Sequence, residues 1–556
     1  MDHFTTLFKA ALGFVLAILA VKVIAFFSEF WRIRSRMQYL QRAGMPMPKH
    51  NWLTGSLLPA KTASDELPSD AHSSYVLNSI AEKVDSEAFY FDPFPINQSF
   101  LCLTDHYMAE QATSHQWTGQ VKPANLKDWF NPISGRDGMN LFTQNGKEWK
   151  TDHETFLPFF NNGNLDATMP AIIDEMLIFR DILRKKSANP KDITRLEPLT
   201  LNLMNDVIGR VIFNLGLRNQ TSEIRHPLSR YMLRQLELKF TTNDIKDNLG
   251  RLNPLRYLEV WLNGRSLDQQ IRIHVKERSA AFHATKGHDN PEFSSMLDRM
   301  LASYFAQPGN RESTTVDSNT MTMLCAQLRM FYFAGYDSTS STMMSLCYLV
   351  WKHPDVLAKL RAEHDSVFGR NIEACAGKIL ENPAILNSLP YTHAVIKEAM
   401  RLYPAAGGIR EGCKDLVLRG RDGTEYPTEG VLIMMNHISI MRNPKTWPRP
   451  NEFLPERFLV APGHELYPPK GAWRPFEIGV RNCTGQAFVL KELRAFLALI
   501  VREFDLSEAY AEVFPDEGVD LSKLHNEKAY LIESGSAHLR GKFPCRISLS
   551  GYGTAQ

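Results

Sequence analysis

Cysteine is scarce in this 556-residue sequence and shows no paired spacing. The seven cysteines are odd in number, scattered, and never arranged as Cys-x-x-Cys. This pattern argues against a disulfide scaffold and a structural zinc site, and it is typical of a reducing, cytosol-facing compartment. The cysteines are residues 102, 325, 347, 375, 413, 483 and 545.

The sequence also lacks an excess of either charge. Its 63 basic and 61 acidic residues leave a net charge of +2, and the basic residues form no long run. This balance does not favour a nucleic-acid partner, and we expect none. No internal repeat is visible, and no glycine-rich dinucleotide fingerprint follows a plausible strand. We therefore expect any electrons that the protein uses to come from another protein.

One long apolar run is present, at the N-terminus. Residues 10–27 are interrupted by a single charge, Lys22, which predicts a membrane anchor in residues 1–30. Arginines follow the run, and Lys9 alone precedes it, so the positive-inside rule leaves the rest of the chain in the cytosol. A cleaved signal peptide is the alternative, but it requires a preceding basic cluster and a small-residue cleavage site. Lys22 also leaves open a shallow, interfacial helix.

Residues 31–50 are interpreted as a basic and proline-rich hinge. The sequence Gly44-Met45-Pro46-Met47-Pro48 ends helical structure within it. Residues 51–556 are then expected to form one large catalytic domain. Their length is sufficient for a large core, and the 44% hydrophobic and 22% charged composition of the chain is that of an ordinary globular enzyme.

Near the C-terminus, one cysteine lies among residue types at fixed offsets, namely Phe476, Gly479, Arg481, Cys483 and Gly485. A metal-bound thiolate requires compensation of its negative charge, and glycines permit tight turns that aim backbone N–H groups at sulfur. The arginine adds a cation. The pattern predicts a thiolate ligand for haem iron, with a buried, unreactive cysteine as the alternative.

Two basic residues and one acidic residue form a second pattern. Residues 391–402 read as an amphipathic helix in which Glu398 and Arg401 lie three positions apart on one face, so their charges can pair. Arg457 follows downstream, after a proline-rich, aromatic loop. Taken alone, Glu398 and Arg401 are equally consistent with an exposed ion pair, which contributes little to stability.

A long, mostly apolar helix without proline is predicted for residues 321–353. We expect an interruption at residues 333–341, because glycine weakens a helix and hydroxyl groups compete for backbone carbonyls. The interruption would open a groove beside a flat cofactor, where Asp337, Ser338 and Thr339 relay protons. The alternative is a buried helix with satisfied hydroxyls.

Together these motifs resemble those of the cytochrome P-450 family of haem-thiolate monooxygenases. The resemblance covers nearly all of the chain after the anchor. It implies a mainly α fold, with a large helical domain and a small β-rich subdomain whose strand candidates lie in residues 416–435 and parts of 51–103. It also implies haem b as the cofactor, with Cys483 as the axial ligand of its iron.

The resemblance assigns further roles. Glu398, Arg401 and Arg457 would form a buried network behind the haem. Asp337 matches the acid of the family signature Ala-Gly-x-Asp/Glu-Thr-Thr/Ser, and Ser338 takes the place of the first threonine. Serine keeps the hydroxyl but loses the methyl group that restricts its rotamers, so Ser338 and Thr339 both remain candidates for the relay.

Contacts to the haem propionates are implied as well. Trp149 matches the family's Trp-x-x-x-Arg helix, but His153 replaces the arginine. A histidine can donate to a carboxylate, although its charge depends on pH. Arg410 occupies the place of another propionate contact, and Arg481 could reach a propionate. A packed helix face is the alternative for Trp149 and His153.

The implied activity is hydroxylation or epoxidation of an apolar small molecule with O2. Electrons would come from NADPH through NADPH-cytochrome P-450 reductase, which carries FAD and FMN. Local details resemble fungal microsomal members, many of which tailor polyketides or terpenoids, and imply the endoplasmic reticulum membrane. Alternatives are a fatty-acid or alkane hydroxylase, a haem-thiolate isomerase or dehydratase, and a non-catalytic haem sensor or binding protein. The acid and hydroxyls at residues 337–339 argue against the isomerase.

Overall fold

A computed structural model describes residues 2–115, 119, 121–135, 138–240, 253–284, 295–311, 313–515 and 520–552. Helices dominate these residues, which confirms the mainly α prediction. The helices are α1 (Asp2–Arg42), α2 (Leu57–Asp65), α3 (Ser73–Val84), α4 (His106–Ser114), α5 (Leu126–Ser134), α6 (Gly146–Phe156), α7 (Asn162–Ser187), α8 (Glu197–Phe213), α9 (Pro227–Lys239), α10 (Pro254–Ala284), α11 (Met296–Ala306), α12 (Ser318–Lys352), α13 (Pro354–Phe368), α14 (Ala374–Glu381), α15 (Pro390–Leu402), α16 (His437–Met441), α17 (Gln486–Ile500) and α18 (Tyr510–Val513).

The strands are short and form small sheets. They are β1 (Ala88–Phe91), β2 (Phe100–Leu103), β3 (Thr194–Arg195), β4 (Gly408–Glu411), β5 (Val417–Arg419), β6 (Glu425–Pro427), β7 (Leu432–Met435), β8 (Phe504–Glu508), β9 (Leu531–Ser534), β10 (Ser536–Leu539) and β11 (Pro544–Leu549). The largest sheet has the order β1-β2-β7-β4, in which only β2 and β7 are parallel. The others are β3-β11-β8 and the pairs β5-β6 and β9-β10.

The strand predictions identify one part of this β structure and miss another. β1 and β2 fall within residues 51–103, and β5, β6 and β7 fall within residues 416–435, as expected. The C-terminal strands β8 to β11 were not predicted. Their burial patterns do not alternate regularly, and β11 pairs with β3, which lies far away in the sequence. Tertiary contacts therefore decide these strands, and local sequence does not.

The N-terminal helix α1 combines two environments. Among the described residues, one helical segment, Leu12–Arg42, is long and apolar enough to cross a membrane. Its apolar side chains are exposed around Ile24, whereas Ile33, Met37 and Leu40 pack into a core cluster with the strands β1 and β2. Residues 31–42 of the predicted hinge thus continue the helix, and the chain turns at Gly44, where φ is +77°.

One buried ion pair holds the end of α1 against the rest of the protein. Arg34 is fully buried, pairs with Asp92, and donates to the carbonyl oxygens of Trp52 and Phe94, each at 2.9 Å. Asp92 also lies 2.9 Å from Nε2 of His50. The end of α1 is therefore joined to the rest of the protein through a packed, charged contact.

The predicted interruption of the long helix is wrong, because α12 is helical from Ser318 to Lys352. Gly335 does not break the helix but serves its packing. A Cβ atom there would lie 2.7 Å from Cδ1 of Ile208, so the glycine permits close packing of α12 against α8. The Ser338 hydroxyl donates to the carbonyl oxygen of Ala334 at 2.8 Å within the intact helix. Packing against α8 stabilises the helix despite its glycine and hydroxyls.

Candidate functional site

The loop around Cys483 begins with a close backbone contact. The N–H of Cys483 donates to the carbonyl oxygen of Phe476 at 2.8 Å, which closes the loop. Gly479 has φ +90°, and a Cβ atom there would lie 2.9 Å from the carbonyl oxygen of Thr113, so the position requires glycine. Gly485, in contrast, has φ −80°, which any residue adopts. The expectation that both glycines form tight turns holds for Gly479 alone.

The sulfur of Cys483 receives partial compensation from the backbone. The Cys483 side chain is exposed to the groove beside it. Desolvation by the surrounding protein raises the pKa of its thiol, and the backbone N–H groups of Gly485 and Gln486 oppose this by hydrogen bonding to the sulfur. Gly485 precedes α17, so these donors belong to the start of a helix, where N–H groups lack helical partners. The arrangement suits a thiolate that receives further compensation from a metal ion.

An open groove of about 1020 Å³ borders Cys483. Helices α6 and α17 contribute much of its wall, and basic side chains outnumber acidic ones on its lining. The charged and titratable residues that line the groove are Lys150, His153, Glu154, Asp166, Lys491 and Arg494.

Glu398, Arg401 and Arg457 form one fully buried network. Arg401 donates from Nε and Nη2 to the two carboxylate oxygens of Glu398, both at 2.8 Å. Arg457 donates from Nε to the same carboxylate at 3.1 Å. Arg401 also donates to the carbonyl oxygens of Met441 and Pro450 at 2.8 and 2.7 Å. The network therefore ties α15 to the loop that precedes Arg457, and an exposed ion pair does not describe it.

A second charged group contains an excess of cations, namely Lys122, Arg410 and Arg481, all buried. Burial and the charges of Arg410 and Arg481 hold the pKa of Lys122 well below its ordinary value. Burial and the charge of Arg410 lower the pKa of Arg481 to about 9. Nε and Nη2 of Arg410 make no hydrogen bond, although Nη2 lies 3.2 Å from a carboxylate oxygen of Glu477. Converging, mutually repelling cations require an anion.

Lys122 was not among the predicted site residues. A single lysine in a loop carries no motif, and its distance from Arg410 and Arg481 in the sequence hides their proximity. Its amine lies over the ring of Phe142, 4.7 Å from the centroid. This burial among other cations distinguishes Lys122 from a surface lysine.

Glu477 is another residue that the motif did not reveal. It lies in the Cys483 loop with φ +58°, a left-handed backbone conformation that is unusual for glutamate. Burial alone would raise its pKa, but the hydrogen bond with His437 and the charge of Arg474 lower the pKa to about 2. Its carboxylate partly offsets the cations beside it, and Arg410 retains nitrogen atoms without hydrogen bonds.

Trp149, His153 and Arg481 lie together. The rings of Trp149 and His153 are 4.9 Å apart, and the Arg481 guanidinium lies 4.5 Å from the Trp149 ring centroid. Arg481 also donates to the carbonyl oxygens of Gln144 and Phe142 at 2.9 and 3.1 Å. Burial and the charge of Arg481 lower the pKa of His153 below its ordinary value. At neutral pH, His153 is therefore a weaker replacement for arginine than a permanent cation.

One face of α12 leads past the Cys483 loop. Gln327 donates to Asp152 on α6 at 2.6 Å, and one turn later the ring of Phe331 lies 6.3 Å from that of Phe160. Phe160 is adjacent to Gly485, since a Cβ atom there would lie 3.9 Å from Cε1 of Phe160. Residues 327, 331, 334 and 338 share this face. Ala334 is exposed and Ser338 half-buried on its continuation, so this is the uncovered part of the face.

Asp337 and Thr339 lie on other sides of α12. The Asp337 carboxylate is buried and accepts the backbone N–H of Ser536 in β10 at 2.6 Å. Thr339 is fully buried, and its hydroxyl has no hydrogen-bond partner within the described protein. The structure therefore places Ser338, Asp337 and Thr339 in three different environments.

These residues fit an iron porphyrin. Cys483 offers one soft ligand with backbone donors beside it, and Lys122, Arg410 and Arg481 offer buried positive charge for two propionates. Among the described residues, Nε and Nη2 of Arg410 have no hydrogen-bond partner, although Nη2 forms an ion pair with Glu477, so the protein does not use all the donors of this guanidinium. This donor set suits a cofactor that carries a metal ion and two carboxylates.

Comparisons with known proteins agree with this fit. The cytochrome P-450 family model matches residues 82–531. A cytochrome P-450 monooxygenase, polC, from Polytolypa hystricis is 32% identical over 99% of this chain and 98% of its own length. Another, acrF from Aspergillus aculeatus, is 27% identical over 83% of this chain and 94% of its own length. Cytochrome P-450 4A7 from Oryctolagus cuniculus is 25% identical over 89% of this chain and 90% of its own length.

Proposed function

Because the chain belongs to the cytochrome P-450 family and is a monooxygenase, we propose that Cys483 is the axial ligand of its haem b iron. The convergence of cations near the Cys483 loop is the observation that carries this assignment. Lys122, Arg410 and Arg481 would hold the propionates, and Trp149 would add its indole N–H. His153 would donate a hydrogen bond to a propionate but would carry little positive charge at neutral pH. Glu477 would limit the excess of positive charge.

A thiolate-ligated haem supplies the activation of O2, since electron donation from sulfur favours cleavage of the O–O bond. The protein supplies positions and protons. Ser338 is the better candidate for the relay, because it lies on the uncovered face of α12 while Thr339 is fully buried. Asp337, on the adjacent side of the helix, would be the acid that serves the Ser338 hydroxyl. Its present contact with Ser536 requires that its side chain move, or that a water molecule connect the two groups.

The substrate is proposed to be an apolar small molecule, specifically a fungal secondary metabolite such as a polyketide or terpenoid. The similarity to fungal monooxygenases from Polytolypa hystricis and Aspergillus aculeatus supports this class. The mammalian relative is 25% identical, less than either fungal relative. A fatty-acid or alkane hydroxylase is therefore the less favoured alternative. The reaction would be hydroxylation or epoxidation.

NADPH-cytochrome P-450 reductase is the proposed electron donor. The groove beside Cys483 is open to solvent, and Lys150, Lys491 and Arg494 give it basic character. An acidic partner surface would be attracted there. The apolar part of α1 supports anchoring in the endoplasmic reticulum membrane, with the arginines after it on the cytosolic side.

The ligand assignment is tested by the Soret difference spectrum of the reduced, carbon-monoxide-treated protein. We expect a far-red-shifted thiolate band in the full-length protein and its complete loss in Cys483→Ala. Cys413→Ala is the matched control, because Cys413 is a partly exposed cysteine outside the loop. A band that survives in Cys483→Ala, or that is absent from folded, haem-loaded wild-type protein, would refute the assignment.

A further inference from the structure

A buried histidine lies between two carboxylates behind α12. Nε2 of His538, on β10, is 3.3 Å from Asp337 on α12, and Nδ1 is 3.7 Å from Glu197 on α8. All three side chains are almost completely buried. The hydroxyl of Ser536 lies 3.1 Å from the same Nε2 atom. Three separate elements thus contribute to one charged cluster.

The turn between β9 and β10 closes directly on this cluster. Gly535 has φ +98°, and a Cβ atom there would lie 2.8 Å from Oδ2 of Asp337. The next residue, Ser536, donates its backbone N–H to that same oxygen at 2.6 Å. One turn along α12, the Ser341 hydroxyl donates to the carbonyl oxygen of Ala537. The turn therefore requires glycine, and it holds the Asp337 carboxylate from one side.

The charges in the cluster favour a cationic histidine. Burial alone would lower the pKa of His538, but Asp337 and Glu197 outweigh burial and raise the pKa to about 10. Two buried carboxylates without a cation between them would repel each other at high cost. His538 is therefore an imidazolium at neutral pH. Among the described residues, no ion pair joins Asp337 to a lysine or an arginine.

We propose that His538 is a positioning residue for proton delivery, which holds the Asp337 carboxylate against the β9-β10 turn. This inference rests on the role proposed for Asp337. Asp337 points away from the Ser338 face of α12, and the strength of its contacts with His538 and Ser536 determines how readily it turns toward that face. Glu197 keeps His538 charged while Asp337 moves. The C-terminal hairpin is thereby coupled to the acid of the relay.

The test compares four variants of the haem-loaded, full-length protein in membranes with reductase and NADPH. His538→Gln removes the charge and keeps a hydrogen-bonding side chain, Glu197→Gln removes the second carboxylate, and Asp337→Asn removes the acid. Ser341→Ala is the matched control, because it removes another contact of the same hairpin outside the ionic cluster. The readouts are the solvent deuterium isotope effect on NADPH oxidation and the hydrogen peroxide formed per NADPH.

We expect His538→Gln to change the solvent isotope effect at least twofold and the peroxide yield at least threefold, with Ser341→Ala unchanged. Equal effects in both would show that loosening of the hairpin is the cause and would overturn the proposal. If Asp337→Asn changes the isotope effect and His538→Gln does not, the proposal fails but the relay stands. If Asp337→Asn changes nothing, the relay itself fails, and the proposal falls with it.

A spectroscopic readout does not depend on turnover. In the diamagnetic carbon-monoxide form labelled with [15N]histidine, His538 should show imidazolium nitrogen shifts at pH 8. Glu197→Gln should lower its titration midpoint while Ser341→Ala leaves it unchanged. A neutral His538 at pH 8 in the wild-type protein would overturn the proposal, even if His538→Gln did not fold.

Discussion

The Glu398 network and the Lys122 cluster are both buried and both charged, but they differ in how far their charges are paired. In the Glu398 network, Nη1 of Arg457 is the one guanidinium nitrogen without a hydrogen bond among the described residues. In the Glu398 network, one carboxylate accepts from two guanidinium groups, and backbone carbonyls accept further N–H groups of Arg401. In the Lys122 cluster, burial lowers the pKa of all three cations, Arg410 and Arg481 lower the pKa of Lys122 further, and Arg410 lowers that of Arg481. Among the described residues, two nitrogen atoms of Arg410 have no hydrogen-bond partner.

This difference separates a structural role from a binding role. A buried network whose donors are nearly all paired contributes to the folded state directly. A buried cluster that is left with excess charge destabilises the protein until an anion neutralises it, and we propose that a ligand supplies this anion. The comparison predicts opposite consequences for the removal of a charge from each group.

The largest effect is expected at Glu398. Glu398→Gln leaves Arg401 and Arg457 buried without a counter-charge, and we expect a loss of about 3–5 kcal/mol in the free energy of unfolding. Urea denaturation of the haem-loaded protein measures it. Asp65→Asn is the control, because it breaks the exposed Lys61–Asp65 pair of 2.7 Å and should cost less than about 0.5 kcal/mol. Equal losses would mean that the Glu398 network is not structural.

Removal of Lys122 should affect haem retention instead of folding. Lys122→Met deletes one buried cation, so we expect haem loss to apomyoglobin to become on the order of tenfold faster, which corresponds to about 1.4 kcal/mol. The urea midpoint of the haem-free protein should stay constant or rise, because less uncompensated positive charge is buried. Lys147→Met, at an exposed position on α6, should leave both quantities unchanged. A lower midpoint with unchanged haem loss would reverse the interpretation.

The His538 cluster is a third buried charged group, and its contribution to stability depends on pH. The folded-state pKa of His538 is about 10, above its ordinary value of 6.5. Its stabilising contribution is therefore fully present below pH 6.5 and disappears as the pH rises through 10. We expect the difference in unfolding free energy between wild type and His538→Gln to be largest at pH 6 and to shrink toward pH 10.5. A difference that is constant with pH would contradict the assigned charge.

The smallest effect is expected at His153. Its lowered pKa leaves the imidazole neutral at pH 7, so His153→Arg adds a permanent cation beside Trp149. Haem loss should become about two- to threefold slower, corresponding to roughly 0.5 kcal/mol. The effect should diminish at pH 5, where the histidine is itself more often protonated. Faster haem loss would show that the position tolerates no further positive charge.

Local sequence predicted the mainly α fold. It also predicted contacts between residues that lie close together in short motifs. The spacing of Glu398 and Arg401, and the offsets around Cys483, correspond to contacts that the structure contains. The apolar N-terminal run corresponds to the exposed part of α1. In each case, the interacting residues lie within a few positions, or one turn of helix, of each other.

Local sequence failed where distant segments meet. Gly335 suggested a broken helix, but its function is the close approach of Ile208 from α8. Gly485 suggested a strained turn, but its φ of −80° is ordinary. Lys122 and His538 belong to no sequence motif, because the charged side chains that lie next to them come from other elements of the fold. Strands β8 to β11 were missed for the same reason.

By itself, the sequence determined which chemical groups are available: one cysteine in a loop with glycines and an arginine, an acid beside hydroxyls, and an apolar N-terminal helix. Tertiary structure alone decided which buried charges are paired within the protein and which are left in excess. It also decided which hydroxyl is accessible and which cation faces Asp337. The physical reason is that burial and charge pairing are properties of neighbours in space, and those neighbours come from segments that the chain brings together only on folding.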